Sequence, residues 1–476
     1  MEEEMKRFLG KTTLGISVFM VPFAVQTALA GSPADLERQI KVLAGQNRML
    51  MERLQKVEGE LRAMKTRRQS QPAAKALSTV SGAAAATTAQ VAQDSGPAWF
   101  KRIGLDVDVT GIVQGTAGND RDRNNPGGGN STEGSYTMDV NLSTSFAQYG
   151  SFYIHLEGGD GEGINNRVAS FSVPNYDSWV TKNNRDQADV TISEAFYEFS
   201  FLDKKLTLDA GKMDVSVLFD ENEVAGDETS QFMSNIFVKS MGLTIPEPDN
   251  FYCPGFMVKA EPWGLLEFRL VGASVENDNW DRLFDHGFVA GQVNFKPRFN
   301  DRPGNYRIYA WRDARNHLEN SNLAAANAAP LYSSSLADQA QEGWGLSFDQ
   351  EIWDGVKGFA RYSQTDDDLA RWNGDDQAWE MIPFDKLWSM GLEVPGHFWQ
   401  RADDVFGLAV GQTLLTDDYK NANRDTADEK YLESYYKLTL NEHFALSADL
   451  QWIQNAGGNS LASDIYIFGL RSQVNF

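Results

Sequence analysis

The chain closes on DIYIFGLRSQVNF, residues 464–476. Taken every second residue back from the end, it reads Phe476, Val474, Ser472, Leu470, Phe468 and Tyr466. Between them stand Asn475, Gln473, Arg471, Gly469 and Ile467. Side chains of a strand point alternately to its two faces. The segment therefore predicts a strand with one apolar face and one largely polar face, stopping on a bare phenylalanine.

Fifteen earlier segments have the same character. They lie at about 103–114, 135–146, 150–158, 189–201, 205–213, 255–261, 265–275, 286–296, 304–312, 343–352, 356–364, 386–394, 404–413, 431–440 and 444–453. In the second, Met138, Val140, Leu142 and Phe146 alternate with Asp139, Asn141, Ser143 and Ser145. In the fifteenth, Phe444, Leu446, Leu450 and Trp452 alternate with Ser447, Asp449 and Gln451. The connections alternate as well. Short ones such as AQY, LDKK, WDG and NEH take turns with long ones rich in Asn, Asp and Gly. Outer-membrane barrels have short periplasmic turns, long external loops and an even strand number; a β-sandwich has no reason to alternate this way. Only a closed barrel puts such strands in a bilayer, because every backbone N–H and C=O must be paired there. The expected fold is an all-β transmembrane barrel of about 16 antiparallel strands, residues 99–476, whose wide lumen holds water.

Composition agrees. The 476 residues carry 43 basic and 66 acidic side chains, net −23, which gives no electrostatic footprint for nucleic acid. Mean hydropathy is −0.42, and no apolar run beyond the N-terminal region is long enough for a membrane helix. The single cysteine, Cys253, has no partner within the chain for a disulfide.

Ahead of the barrel the pattern changes. Lys6, Arg7 and Lys11, then LGISVFMVPFAV, then ALA at 28–30 read as a signal peptide over residues 1–30, with Met1 or Met5 as the start. Residues 31–65 read as a coiled coil: Leu36, Leu43, Leu50, Val57 and Met64 fall at d, and Ile40, Asn47, Leu54 and Leu61 at a. Asn47 is the one polar seam residue and is expected to fix register. Residues 66–98 are a flexible linker rich in Ala and Ser, with few large apolar side chains. Export places the mature chain in the bacterial outer membrane, with the coiled coil in the periplasm.

The longest connection, about 214–254, contains Asp214, Phe219, Asp220, Glu221, Asn222, Glu223, Asp227 and Glu228. A loop of this length with apolar residues is expected to fold back into the lumen and narrow it. Its carboxylates favour cations and neutral polyhydroxyl solutes over anions. By alternation Glu194, Glu198, Asp209, Arg269, Arg307, Trp311, Lys357, Arg361, Glu433, Tyr435 and Arg471 also point inward. Aromatic faces combined with planar charged groups suit sugars; a general water-filled channel with solvated lumen charges is the alternative.

The stretch GKMDVSVLFDENEVAGDETSQFMSNIF, residues 211–237, resembles the signature of carbohydrate-selective porins of the OprB type. The matching residues are Gly211, Lys212, Asp214, Phe219, Asp220, Asn222, Asp227, Glu228, Gln231 and Phe232. The resemblance implies a sixteen-stranded barrel and passive uptake of sugars, although some relatives are described as general solute or inorganic-ion channels. Porin analogy implies a homotrimer, with the coiled coil as its stalk or as a cell-wall spacer. A terminal Phe476 resembles the mark read by the barrel assembly machinery.

Two other functions are weaker. An enzyme needs a nucleophile beside a base. Of the five histidines (His155, His286, His317, His397 and His443) only His155 falls in mid-strand, with no Ser-bearing elbow or metal-spaced partner. No enzyme, metal or cofactor is expected. A pure tether does not need sixteen strands, since eight suffice for an anchor.

Overall fold

The computed structural model describes residues 103–119, 129–146, 149–183, 190–240, 252–274, 280, 287–328, 336–373 and 378–476. The expected signal peptide, the coiled coil with Asn47, and the linker lie outside the described residues.

Among the described residues nineteen strands join one sheet. Three are short: Arg298–Phe299, Leu369–Asn373 and Ala378–Met381. The other sixteen form the wall. They are β1 (Ile103–Ala117), β2 (Thr132–Ser145), β3 (Ser151–Asp160), β4 (Thr191–Phe201), β5 (Leu206–Asp214), β6 (Tyr252–Trp263), β7 (Leu266–Ala273) and β8 (Phe288–Phe295). They continue with β9 (Arg302–Glu319), β10 (Gln339–Trp353), β11 (Val356–Thr365), β12 (Phe384–Pro395), β13 (Val405–Leu415), β14 (Lys430–Asn441), β15 (Phe444–Gln454) and β16 (Ile465–Asn475). Each pairs antiparallel with the next, and β16 returns to β1 in continuous register from Asp108↔Asn475 to Ala117↔Tyr466. Phe476 completes the seam, its N–H donating to Val107 O at 2.9 Å. The sheet is closed, so the wall has no free edge.

All sixteen expected segments are strands, but several run further than periodicity alone indicates. β9 extends to Glu319 through a bulge between Asp313 and His317, so His317 sits within a strand. Its outer end pairs with Leu369 and Ala370 of the short external hairpin. Alternation is lost at the bulge, which hides the extension from a two-residue pattern.

The two faces separate as the sequence pattern requires. On β16, Tyr466, Phe468 and Leu470 are exposed while Ile467 and Arg471 are at most 1% exposed. Val289, Val293, Ile308, Met390, Leu408 and Val410 continue the outward apolar surface. Near the short turns it is bounded by Trp263, Trp353, Phe398 and Trp399, an aromatic belt at the membrane interface. No helix among the described residues is long and apolar enough to cross a membrane.

Buried apolar residues do not form a dry barrel core. They lie where long connections meet the inward wall. Phe219 packs with Phe288 and Tyr309 at ring distances of 5.7 and 5.6 Å. Phe232 packs with Phe359 and Tyr435 at 5.8 and 5.0 Å. Gly211 precedes this region at φ +150°, and a Cβ there would stand 2.3 Å from Ala195 O. Only glycine fits that approach.

Leu470 and Arg471 are neighbours with opposite surroundings. Leu470→Arg is expected to destabilise the barrel by about 2–4 kcal/mol, the cost of a cation on the lipid face near the midplane. Urea unfolding in lipid vesicles measures it; an unchanged midpoint would mean that this face does not meet hydrocarbon.

Candidate functional site

The connection from β5 to β6, residues 215–251 (L3), is described as far as Ser240. It lies against the inward faces of strands far from its own ends. Asp220 begins the docking. It adopts φ 57°; its N–H donates to Gln292 Oε1 at 2.9 Å, and its carboxylate accepts from Ser240 N at 2.8 Å. Arg361, from β11, is the central clasp. Its Nε donates to Asp220 Oδ1 at 3.3 Å, its Nη2 to Asp220 O at 3.0 Å, and its Nη1 to Ala225 O at 2.6 Å and to Phe237 O. A guanidinium suits this role because five donors radiate from one rigid plane.

Other wall residues extend the attachment. Glu221 lies 2.5 Å from Arg269 and 3.7 Å from Arg307, and Arg307 also meets Asp349 at 2.5 Å. Asn222 Nδ2 donates to Ser347 Oγ and Phe348 O. Glu223 accepts from Asn305 at 3.2 Å and stands 3.8 Å from Lys357. On the far side, Glu433 receives Met233 N–H at 2.5 Å and Ser234 N–H at 3.0 Å. Arg471 donates to Glu228 O and Gln231 O.

The eleven wall residues expected to point inward therefore divide. Arg307, Trp311, Arg361, Glu433, Tyr435 and Arg471 are inward but covered by L3, each at most 5% exposed. Arg269 is also engaged, and Lys357 keeps a 40% exposed side chain. Glu198 and Asp209 are register partners at the turn end of β4 and β5. Glu194 accepts Asp214 N–H at 2.9 Å. It is the one of this set that lines the open cavity described next, with Asp214, Asp227 and Glu228 of the acidic connection.

That cavity has a volume of about 450 Å³ and lies mainly against β1–β4, with Tyr252 of β6 and Gln473 and Asn475 of β16 completing its wall. Among the described residues eight carboxylates line it, and the sole basic group is His155. His155 Nε2 is 2.9 Å from Asp139 and its Nδ1 is 3.7 Å from Glu194. Asp227 is turned back on its own loop, accepting from Thr229 N and Oγ1 and from Ser230 N. Glu228 is partly exposed. Enclosure by protein pushes its carboxyl up to about 7; Asp227 adds to this and Lys239 opposes it. Among the described residues no group of three His, Cys, Asp or Glu is placed to hold a metal ion.

A second connection contributes, one that the reading of the sequence did not single out. Residues 161–190 (L2) include the helix α1, Tyr176–Asn183. Tyr176 N–H donates to Met233 O and Asn235 N–H to Val173 O, each at 3.0 Å, so L2 and L3 are bonded together. Both Asp177 oxygens accept from Thr137 Oγ1, and Thr181 donates to Glu157 at 2.7 Å. The signal was present: Val168, Phe171, Val173, Tyr176, Trp179 and Val180 are as apolar as the residues that mark L3.

A closed sixteen-strand barrel with an apolar outer band, a polar interior and connections packed on its inner wall is a bacterial outer-membrane porin. More narrowly, the chain belongs to the OprB family of carbohydrate-selective porins, whose family model matches residues 126–476. Among solved structures, Pseudomonas putida OprB at high pH aligns over 79% of this chain and 95% of its own, with TM-score 0.64 and 16% identity, a likeness of fold. Its low-pH structure aligns over 79% and 93%, with TM-score 0.44 and 13% identity. The Salmonella typhi OmpF complex with daunomycin aligns over 78% and 98%, with TM-score 0.48 and 11% identity. No curated protein matches the chain in sequence.

Arg361→Met leaves Asp220 buried without its cation, which costs about 3–5 kcal/mol. If that cost falls on docking, amides between 220 and 240 exchange with solvent on the order of 10²–10³-fold faster, while amides of the wall strands are unaffected. Hydrogen exchange read by mass spectrometry checks this. Equal exchange in both proteins would remove Arg361 from the role of clasp.

Proposed function

We propose that the protein passes small hydrophilic solutes, principally sugars, passively across the outer membrane through a lumen narrowed by L3 together with L2. The observation that supports this reading best is the position and lining of the cavity. It lies on one side of the barrel, beside the docked connection, and presents carboxylates, Asn141 and Tyr153 to whatever occupies it. Carboxylate and amide oxygens accept hydrogen bonds from sugar hydroxyls, while the excess of negative charge disfavours anions. The arginines expected to recognise sugars serve instead to hold L3.

The acidic lining also favours a second reading, a general cation-preferring porin without sugar selectivity. Liposome swelling with a graded series of sugars and amino acids separates the two. Sugars entering faster than amino acids of equal size support sugar selectivity; equal rates at equal size leave the general porin. The homotrimer, the coiled coil as stalk or cell-wall spacer, and Phe476 as the mark for the assembly machinery belong to the same proposal.

A pH dependence follows from Glu228, which is surrounded by Asp227, Asp214, Asp177, Tyr176 and Lys239, with Arg471 on its carbonyl. A carboxyl raised to about 7 gains charge as pH rises through that value. Cation preference, read as the reversal potential across a planar bilayer under a salt gradient, is therefore expected to increase from mildly acidic to mildly alkaline pH. Glu228→Gln should flatten the rise; an identical curve in the variant would remove Glu228 from the pathway.

A further inference from the structure

Taken as a passage for small hydroxylated solutes, which is the reading this step rests on, the cavity beside L3 has two properties that together narrow the solute class. The first is the sign of its charge. Among the described residues eight carboxylates line it, with neither lysine nor arginine. A neutral sugar needs no such imbalance, since paired charges and amides bond hydroxyls equally well.

The second property is independent of charge. Tyr252, the first residue of β6, is only 6% exposed and lines this cavity. Its ring lies 6.3 Å from His155. Among the described residues its hydroxyl has no hydrogen-bond partner. The neighbours are committed elsewhere. Glu157 takes Thr181 and Ser193, Asp214 caps Ser216, and Tyr153 donates to Asn141. A nine-tenths-buried phenol with an unpaired hydroxyl at the edge of a polar cavity is completed by a solute hydroxyl or by water.

We propose that this cavity is a subsite for sugars carrying one protonated amine: the ammonium lies among Asp139, Glu194 and their neighbours, and a ring hydroxyl meets Tyr252. The volume, about 450 Å³, falls within the range of about 300–1,000 Å³ typical of small-ligand sites. His155 stands between Asp139 and Glu194, 2.9 and 3.7 Å from them, so the ammonium is placed on the cavity side of these carboxylates, beside the imidazole. Neutral sugars keep the hydroxyl contact and lose the ion pair. Sugar acids meet repulsion from every side.

The test uses the full chain in two assays. Permeability in liposomes is compared for glucose, glucosamine, N-acetylglucosamine and glucuronate at low ionic strength. Block of the ion current in planar bilayers is titrated with the same solutes. Glucosamine is expected to enter on the order of 10-fold faster than glucose, the lower end of the enrichment that a cleft of one charge sign produces. N-acetylglucosamine should lose that advantage. Tyr252→Phe should weaken glucosamine block by about 2- to 10-fold, one hydrogen bond's worth, and Asp139→Asn should reduce the ratio of glucosamine to glucose. Equal entry of glucose and glucosamine overturns the subsite and leaves sugar passage standing. Passage of potassium with no sugar of any kind overturns both. Because the comparison of solutes on the unaltered protein is decisive alone, poor folding of either variant does not protect the proposal.

Discussion

The structure depends first on pairing backbone groups where no water is available to satisfy them. A strand edge left open in hydrocarbon costs several kcal/mol for each unpaired group. The pairing of β16 with β1 removes the last such edge, and Val107 and Phe476 finish it by exchanging two backbone hydrogen bonds. Once the sheet is closed, alternation does the rest. Each strand must offer lipid an apolar row and the interior a polar one, and a one-residue slip would reverse the two. Arg471 beside Leu470 shows how local the division is. A fully buried guanidinium and a lipid-facing leucine differ by one step along the chain.

Closure leaves a wide interior that the wall cannot fill. The apolar residues of L3 and L2 have nowhere to go in water, and the inward wall is polar. The solution is mixed. Phe219 and Phe232 find aromatic patches on β8, β9, β11 and β14, while backbone groups of the same connection are met by Arg361, Glu433 and Arg471. These wall charges bind peptide groups as much as opposite charges. Arg361 accounts for three carbonyls and one carboxylate, so lysine, with a single charged head, does not reproduce its geometry.

The fold was legible because a two-residue period survives in nearly every wall strand, and because short and long connections alternate. It failed to show only where alternation itself breaks, as at the bulge in β9. The site was legible in part. Alternation identifies which residues turn inward, and it placed Arg361, Glu433 and Arg471 on the correct face. It cannot tell an open lumen from one covered by a connection, since both begin from the same face. Arg361 was therefore read as a group for solute and is instead enclosed by L3. The cavity-lining residues of β1–β3 were equally inward by pattern. Asp108, Asp139 and His155 gave no hint of belonging together because their meeting depends on barrel closure and on where L2 and L3 settle.

The separation of the two walls has an electrostatic consequence. On the Arg-bearing side, Arg269 and Arg307 stand within 2.5 to 3.7 Å of carboxylates and Arg471 donates to carbonyls. Such pairs act as short dipoles whose field falls off steeply. On the β1–β4 side, one histidine faces eight carboxyl groups among the described residues, and the fields of the ionised ones add, screened over about 10 Å at 0.1 M salt. The interior thus offers passing solutes one neutralised wall and one charged wall, although basic and acidic residues are both plentiful. A count of inward charges would call the lumen mixed. On the proposed reading the pairing pattern leaves it acidic, because the same contacts that hold L3 in place also offset much of the positive charge.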